Sequence, residues 1–520
     1  MARYYLTCAI DYANGEPHAG HAFEKVGADV IARYRRSLGD DVRFAIGMDE
    51  HGQGIAEEAA RRGSDPQAFV DEMANVWGGV WRRLGISNDD FIRTTEARHS
   101  RAVVAIIERM REAGDLYTDR YAGYYCVRCE RFRKENELAD GRCPLHPKRE
   151  ITWTEEENYF FRLSRYRDPL LQHLETHPEF VQPASRRNEI LRLLEGGLDD
   201  ISASRSRLPW GIPFPGAQDH TVYVWMDALT NYLSTTGFPE DGYEDWWPAH
   251  LHVIGKDITR FHCVIWPAML LSAGVELPRT VWAHGFVSVA GGKISKDAGS
   301  ELNLDELIDR HGKDAFRFFL MREAPWDGDR NFSSAAELLE RFDRRYNAEL
   351  ANDLGNLVSR TAAMVHKYRE GRALPGGETV LDEARVSSLR AYHDRMEAFL
   401  LHEGIEAMLG LVRRANAFVD HEEPWKLAKE GESAADRLDS ALGALVRCLR
   451  SVAAMLGPFM PDKAAELWQR MGGSEGLPTF AEAAAAPVAA GLEADEAASA
   501  GTPIDVRKGP SLFPRYDPDP

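Results

Sequence analysis

The order of periodicities in the first fifty residues constrains the fold more than any other feature. Tyr4 to Ile10 is an apolar run of strand length. Phe23, Val26, Val30, Ile31 and Tyr34 then recur at helical spacing until Gly39, a helix-stop signal, and Val42 to Ile46 is a second apolar run. Strand, helix and strand in so short a span predict a βαβ unit of a parallel, doubly wound sheet. Ligands of such sheets sit beyond the carboxyl ends of the strands. Two loops fall there, NGEPHAGH at 14–21 and GMDEHG at 47–52, and both are expected to face one crevice.

Composition narrows the class. A chain of 520 residues has material for about three or four domains. Its apolar content of 44% is that of a soluble globular protein, and a net charge of −19 excludes a basic coat for nucleic acid while leaving room for a local basic face. The opening apolar run is cut by Asp11 before it reaches the length of a secretory core, so no signal peptide and a cytoplasmic location are expected. Phe261 to Leu277 contains His262, Pro267 and Glu276, which predicts a buried helix rather than a membrane span.

Three short patterns carry chemistry. His18 and His21 flank Ala19 and Gly20 where a helix begins, and a helix N-terminus with its unpaired N–H groups binds phosphate readily. Taken alone, such a pair is more often a surface or cap feature. GGKISKD at 291–297 is a glycine-rich loop whose Lys293 and Lys296 can close on phosphates, although lysines beside glycines usually mark a solvated turn. No GxxxxGK[ST] loop occurs, so a phosphate site here is not of the Walker type. Cys126, Cys129, Cys143 and His146 form CVRC, thirteen residues, then CPLH, the spacing of a closed Cys₃His zinc site. A disulfide is the rival reading, and it leaves an odd cysteine. Cys8, Cys263 and Cys448 stand singly in apolar surroundings and read as small buried hydrophobes.

PHAGH and KISKD resemble the paired HIGH and KMSKS motifs of class I aminoacyl-tRNA synthetases. YANGEPHAGH, GMDEHG, YVWMDALTNY (223–232), HVIGKDITRFHCVIWPAML (252–270), WAHGF (282–286) and DLGNLVSR (353–360) are similar to stretches of the methionyl-tRNA synthetase family, in family order. The resemblance implies a doubly wound, Rossmann-type α/β catalytic domain in two halves, 1–115 and 221–290. Between them it places an inserted domain at 116–220 with a zinc knuckle near 122–150. A loop and stem at 291–345, an α-helical anticodon-binding bundle at 346–475 and a flexible tail at 476–520 follow, with PSLFPR docking back.

It further implies an ATP-dependent ligase that activates L-methionine to methionyl adenylate and passes it to initiator and elongator methionine tRNA. ATP with Mg2+ would be a substrate and one Zn2+ structural; the protein would be a monomer without membrane or DNA partners. His18 and His21 would contact the triphosphate beside Gly20, and Lys296, assisted by Lys293, would hold the leaving pyrophosphate. Gly255, Asp257 and the backbone at His284 would hold adenosine. Asp49 would pair with the substrate ammonium, and Ala9, Ile10, Tyr12, Trp225, Leu229, Tyr232, Phe261, His262 and Ile265 would line the methionine side chain. Trp225 and Tyr232, seven apart, are expected to share one helix face. Asn356, Arg360 and Trp425 would read the anticodon, and Arg341, Arg344, Arg345, Arg360, Lys367, Arg369 and Arg372 would offer a basic face to the tRNA backbone.

Ala19, Met48, Leu229, Ile265, Asp297 and Ser300 depart from the family pattern. They keep two alternatives in view: a same-fold enzyme activating methionine or an analogue for resistance or a biosynthetic pathway, and a catalytically silent tRNA-binding relative.

Overall fold

A computed structural model describes residues 2–13, 15–126, 131–133, 135–144, 151–206, 208, 210–289, 303–480 and 502–517. Cys129, His146, Lys293, Lys296, Asp297 and Ser300 lie outside them.

The predicted βαβ unit is β1 (Arg3–Cys8), α1 (Ala19–Ser37) and β3 (Asp41–Asp49). Strands β1 and β3 pair in parallel, with Thr7 opposite Ala45. Beside β3 runs β4 (Asp90–Arg93), and on the other side of β1 come Leu251–Gly255, Val281–His284 and the short edge strand Val181–Gln182, all parallel. Chain connections leave β1 in both directions, so the crevice beyond its carboxyl end is a topological switch point. Side chains alternate between the two faces. Leu6, Phe44, Ile46, Val253 and Trp282 join the core beneath α1, whereas Tyr5, Ala45, Ile254, Val281 and Ala283 join a second core on the opposite face. Covering both faces is what makes these strands read as unbroken apolar runs.

The first strand departs from its predicted extent. It stops at Cys8, and the chain resumes pairing with β3 as β2 (Asp11–Tyr12), with Asp11 opposite Met48. The register offset against β3 is thus 38 residues at Thr7 and 37 at Asp11, a slip of one that falls between them, where Ala9 and Ile10 lie. Helix α1 is buried on every side from Ala22 to Ala32, and Gly27 lets the Trp326 indole lie on its backbone; an added Cβ would stand 2.1 Å from the ring.

Between the halves of the main sheet the chain forms a separate antiparallel sheet, with Leu116–Cys126 between Arg131–Arg133 and Thr152–Phe161, and Ile201–Ser202 at the edge. This stretch is not wholly apart, because it also supplies the Val181–Gln182 edge strand.

Residues 304–480 are mostly helical. Ala335–Arg345, wider π-helical turns over Tyr346–Gly355, and Asn356–Arg369 run on continuously, and a bundle of Val380–Glu397, Leu401–Glu422, Pro424–Glu430, Ala435–Leu456 and Pro461–Arg470 follows. Residues 502–517 return to it: Ile504–Asp505 pairs with Arg372–Ala373, and Leu512 and Phe513 are buried. Of the seven cations expected to form a basic face, four have a carboxylate partner: Arg341 and Arg345 converge on Glu323, Arg360 meets Asp420 and Arg369 meets Asp439. Among the described residues no helix is long and apolar enough to cross a membrane.

Candidate active site

His18 is the N-cap of α1. Its Nδ1 accepts from the Gly20 N–H at 3.1 Å, while Nδ1 of His21 accepts from the His18 N–H at 3.3 Å, so the two imidazoles make a reciprocal capping box. Accepting at Nδ1 leaves each neutral ring with its hydrogen on Nε2, which makes Nε2 the donor. The rings stack at 3.7 Å, and His21 meets the edge of Trp77, whose indole donates to the Gly15 carbonyl at 2.9 Å. Gly20 also gives the cap room. A Cβ there would sit 3.0 Å from the His18 ring, so the missing side chain accommodates the cap itself.

Directly beneath this turn lies a cluster that sequence reasoning missed. Lys25 is fully buried, and its Nζ donates to the Ala9 carbonyl at 2.8 Å, Asp11 Oδ1 at 3.0 Å and Glu24 Oε1 at 2.8 Å. Glu24 Oε2 in turn faces His284 Nε2 at 3.1 Å, and His284 Nδ1 reaches the Gly285 carbonyl at 2.7 Å. Burial pushes the Asp11 carboxyl up, against the pull of Lys25. In Glu24 burial is outweighed by Lys25 and His284, which bring the carboxyl down to about 2. Lys25, despite burial, is raised by its two carboxylates and stays charged. The cluster fastens the slip in the first strand, the second turn of α1 and the end of Val281–His284 to one another. Asp11 and Glu24–Lys25 are charges inside otherwise apolar patterns, and that was the available signal.

The candidate side-chain pocket is built on an irregular helix. Phe261–Ile265 winds as a π-helix before Trp266–Ser272, and the Trp266 N–H reaches the Phe261 carbonyl five residues back. Pro267 has no N–H for the carbonyl four residues before it, which favours the wider turn. For the same reason the helix expected over 261–277 is shorter and begins irregularly. Phe261 stacks on Trp225 at 3.6 Å and 10°. Tyr232 donates its hydroxyl to His262 Nε2 at 2.6 Å, and His262 Nδ1 donates to the Ile258 carbonyl at 3.0 Å. Burial lowers the His262 imidazole to about 4, which keeps Nε2 an acceptor at neutral pH.

Trp225 and Tyr232 do not share one unbroken helix. Val224–Leu229 is followed by a separate turn, Asn231–Ser234, because Thr230 Oγ1 and Asn231 Nδ2 bond back to the carbonyls of Met226 and Ala228. Both rings nonetheless pack on the same π-helical segment. Ala9, Leu229, Tyr232 and Ile265 lie in one apolar cluster with Trp225 and Phe261 packed against it, whereas Tyr12 packs against the other core and Ile10 lies beside Gly47.

Asp49 ends β3, and its carbonyl accepts from the Ala13 N–H at 3.0 Å. Gly255 closes the neighbouring strand, and its missing side chain admits the Asp257 carboxylate, 2.8 Å from where a Cβ would stand. The His284 side chain is buried on Glu24.

Away from the crevice, Asn356 is exposed and one helical turn from Arg360, which pairs with Asp420 at 2.9 Å, while Trp425 opens Pro424–Glu430 half-buried. Cys126 and Cys143 are buried. Among the described residues no group of three metal-ligating side chains forms, and the other two expected ligands, Cys129 and His146, lie outside them, as do Lys293 and Lys296.

Known proteins give this geometry a context. A family model described as tRNA synthetases class I (M) matches residues 4–151 and 136–362. The methionine–tRNA ligase of Thermotoga maritima is 43% identical over 480 residues, covering 90% of this chain and 75% of that one. That of Brucella suis is 41% identical over 525 residues, covering 99% and 98%. The structure of Mycobacterium tuberculosis methionyl-tRNA synthetase in complex with methionyl-adenylate superposes with a TM-score of 0.90 at 38% identity, over 99% of this chain and all of that one. With the switch-point crevice, the histidine cap and the aromatic pocket on one fold, and with these relatives along its whole length, the chain belongs to the methionine–tRNA ligase family of class I tRNA synthetases.

Proposed function

We propose that the chain attaches L-methionine to methionine tRNA in two steps at the crevice beside β1. A carboxylate oxygen of methionine attacks the α-phosphorus of ATP, the bond to the oxygen bridging the β-phosphorus breaks, and pyrophosphate leaves. A hydroxyl of the terminal ribose of the tRNA then attacks the acyl carbon of the adenylate and gives up its proton as AMP departs. The first step requires no general base, because its nucleophile is already ionised, so positioning and charge stabilisation carry its rate.

The observation that carries this reading is that the histidine cap and the Trp225–Phe261 and Tyr232–His262 pairs follow the carboxyl ends of two adjacent parallel strands, β1 and Leu251–Gly255. In it the Nε2–H groups of His18 and His21 donate to the triphosphate, and Lys296 with Lys293 holds the pyrophosphate. Asp49 takes the ammonium, and the aromatic rings meet the thioether, which packs favourably at ring edges. Gly255, Asp257 and the backbone at His284 hold adenosine.

Asn356, Arg360 and Trp425 read the anticodon. The exposed Arg360–Asp420 pair is weak enough to exchange for a nucleotide. Cys126, Cys129, Cys143 and His146 would hold one Zn2+ in a closed structural site, a reading supported by their spacing and by the burial of Cys126 and Cys143, and Mg2+ would accompany ATP. The test is amino-acid-dependent exchange of pyrophosphate into ATP. Exchange with methionine and with no other proteinogenic amino acid is expected; a folded protein that exchanges with none, or with another, overturns the reading.

A further inference from the structure

Asp227 stands between Trp225 and Leu229 and is fully buried. Its two oxygens are divided between two other elements. His51, two residues beyond Asp49, donates Nδ1–H to Oδ2 at 2.7 Å, and His99, from the helix Ala97–Glu112, meets Oδ1 through Nε2 at 2.7 Å. His99 Nδ1 reaches Ser234 Oγ, beyond Tyr232, at 2.9 Å.

The loop after β3 is held on its other flank as well. Glu50 is buried and takes Arg93 Nε at 2.6 Å and Thr95 Oγ1 at 2.5 Å, while the Trp210 indole donates to the Glu50 carbonyl at 2.6 Å. The loop is therefore rigid in itself, and Asp227 is its tie to the segment that bears Trp225 and Tyr232. An apolar residue of similar volume would serve stability as well as a buried carboxylate does, and it would not fix a distance. A carboxylate forked between two imidazoles does fix one.

We propose that Asp227 is a positioning residue: through His51 and His99 it sets the separation between the Asp49 loop and the Trp225–Tyr232 wall, and so the length of amino-acid side chain the site accepts. The inference rests on reading Asp49 as the ammonium partner and the aromatic pair as the side-chain wall. Its effect is expected on the amino acid, because the residues read as holding ATP, His18, His21, Gly255 and Asp257, are not members of the Asp227 fork.

The test uses the full chain and separates KM for methionine from KM for ATP in pyrophosphate exchange. Asp227→Asn keeps the shape and weakens the fork. It is expected to raise KM for methionine by about tenfold or more, to leave KM for ATP within about twofold, and to narrow the preference for methionine over ethionine, since a displacement near 1 Å at a reacting site can reach about a hundredfold. Asp227→Glu, with its charge kept but its reach lengthened, is expected not to restore the preference. Where Asp227→Asn does not fold, His51→Gln loosens the loop while Asp227 keeps His99, and the same split is expected. Equal movement of both KM values, or none, in a folded variant overturns the inference. Absence of methionine exchange in the unmodified chain overturns instead the functional reading beneath it.

Discussion

The carboxyl edge of the main sheet and the bundle of residues 380–470 are both well buried, but they bury different things. At the sheet edge Lys25, Asp11, Glu24, His284, Asp227, His51 and His99 lie within a few residues of the candidate site, each bonded to at least one named partner. In the bundle Leu409, Leu442, Leu445, Leu449 and Val452 pack as hydrocarbon, and the buried charges are Asp382, held by Arg447, Arg385, which donates to Ser451, and Arg470. Hydrocarbon packing is tolerant of small shifts, whereas a buried ion cluster works in one geometry. The contrast separates what holds the chain together from what holds the site in place.

The strongest test of that contrast is Lys25→Met. Removing the cation leaves Asp11 and Glu24 buried beside each other, and breaking a buried ion cluster on one side costs about 3–5 kcal/mol. Denaturant unfolding should show that loss, and the folded fraction should have lost pyrophosphate exchange. Leu445→Ala is the counterpart in the bundle. A buried leucine truncated to alanine costs about 2–5 kcal/mol, yet the folded variant should keep both KM values. If Leu445→Ala changed KM as Lys25→Met does, the division between the regions would fail.

A smaller effect comes from protons. Burial lowers His262 to about 4, so the folded protein holds it neutral while the unfolded imidazole titrates near 6.5. Between those values the unfolded chain binds the extra proton, and this residue's contribution is full above about pH 6.5 and falls as pH falls toward 4. The drop in stability between pH 7 and pH 5 should therefore shrink by about 1–2 kcal/mol in His262→Gln, read by unfolding at both values. An unchanged drop would mean that the folded protein takes up the proton at His262 as readily as the unfolded one.

The same contrast explains what could be read from the residues. The βαβ order and the cap histidines were legible because apolar period and loop position are local properties. The slip between Thr7 and Asp11 was not, since it depends on Lys25 reaching the Ala9 carbonyl from a helix whose charged positions a periodic pattern assigns to solvent. The π-helical turns at Phe261 are set by Pro267 and by contacts with Trp225, Tyr232 and Ile258, which only the fold brings together. The arginines of 341–369 read as one basic face because Glu323, Asp420 and Asp439, which pair with four of them, come from other elements.

Arg360 gives the smallest expected change in stability and the sharpest statement about the bundle. Its partner Asp420 is two-thirds exposed, and such pairs contribute about 0.2–1 kcal/mol, so Arg360→Ala should leave unfolding almost unmoved. Pyrophosphate exchange should also persist, because the crevice is built from other elements. What should change is charging: KM for methionine tRNA rises, and the rise is larger at low salt, where a lost cationic contact to nucleic acid is felt most. Asp420→Asn removes the competing carboxylate and keeps the arginine, so it should move KM for the tRNA in the opposite direction. If both variants charge normally, Arg360 and Asp420 are only a surface ion pair, and recognition of the tRNA by the bundle lies elsewhere on it.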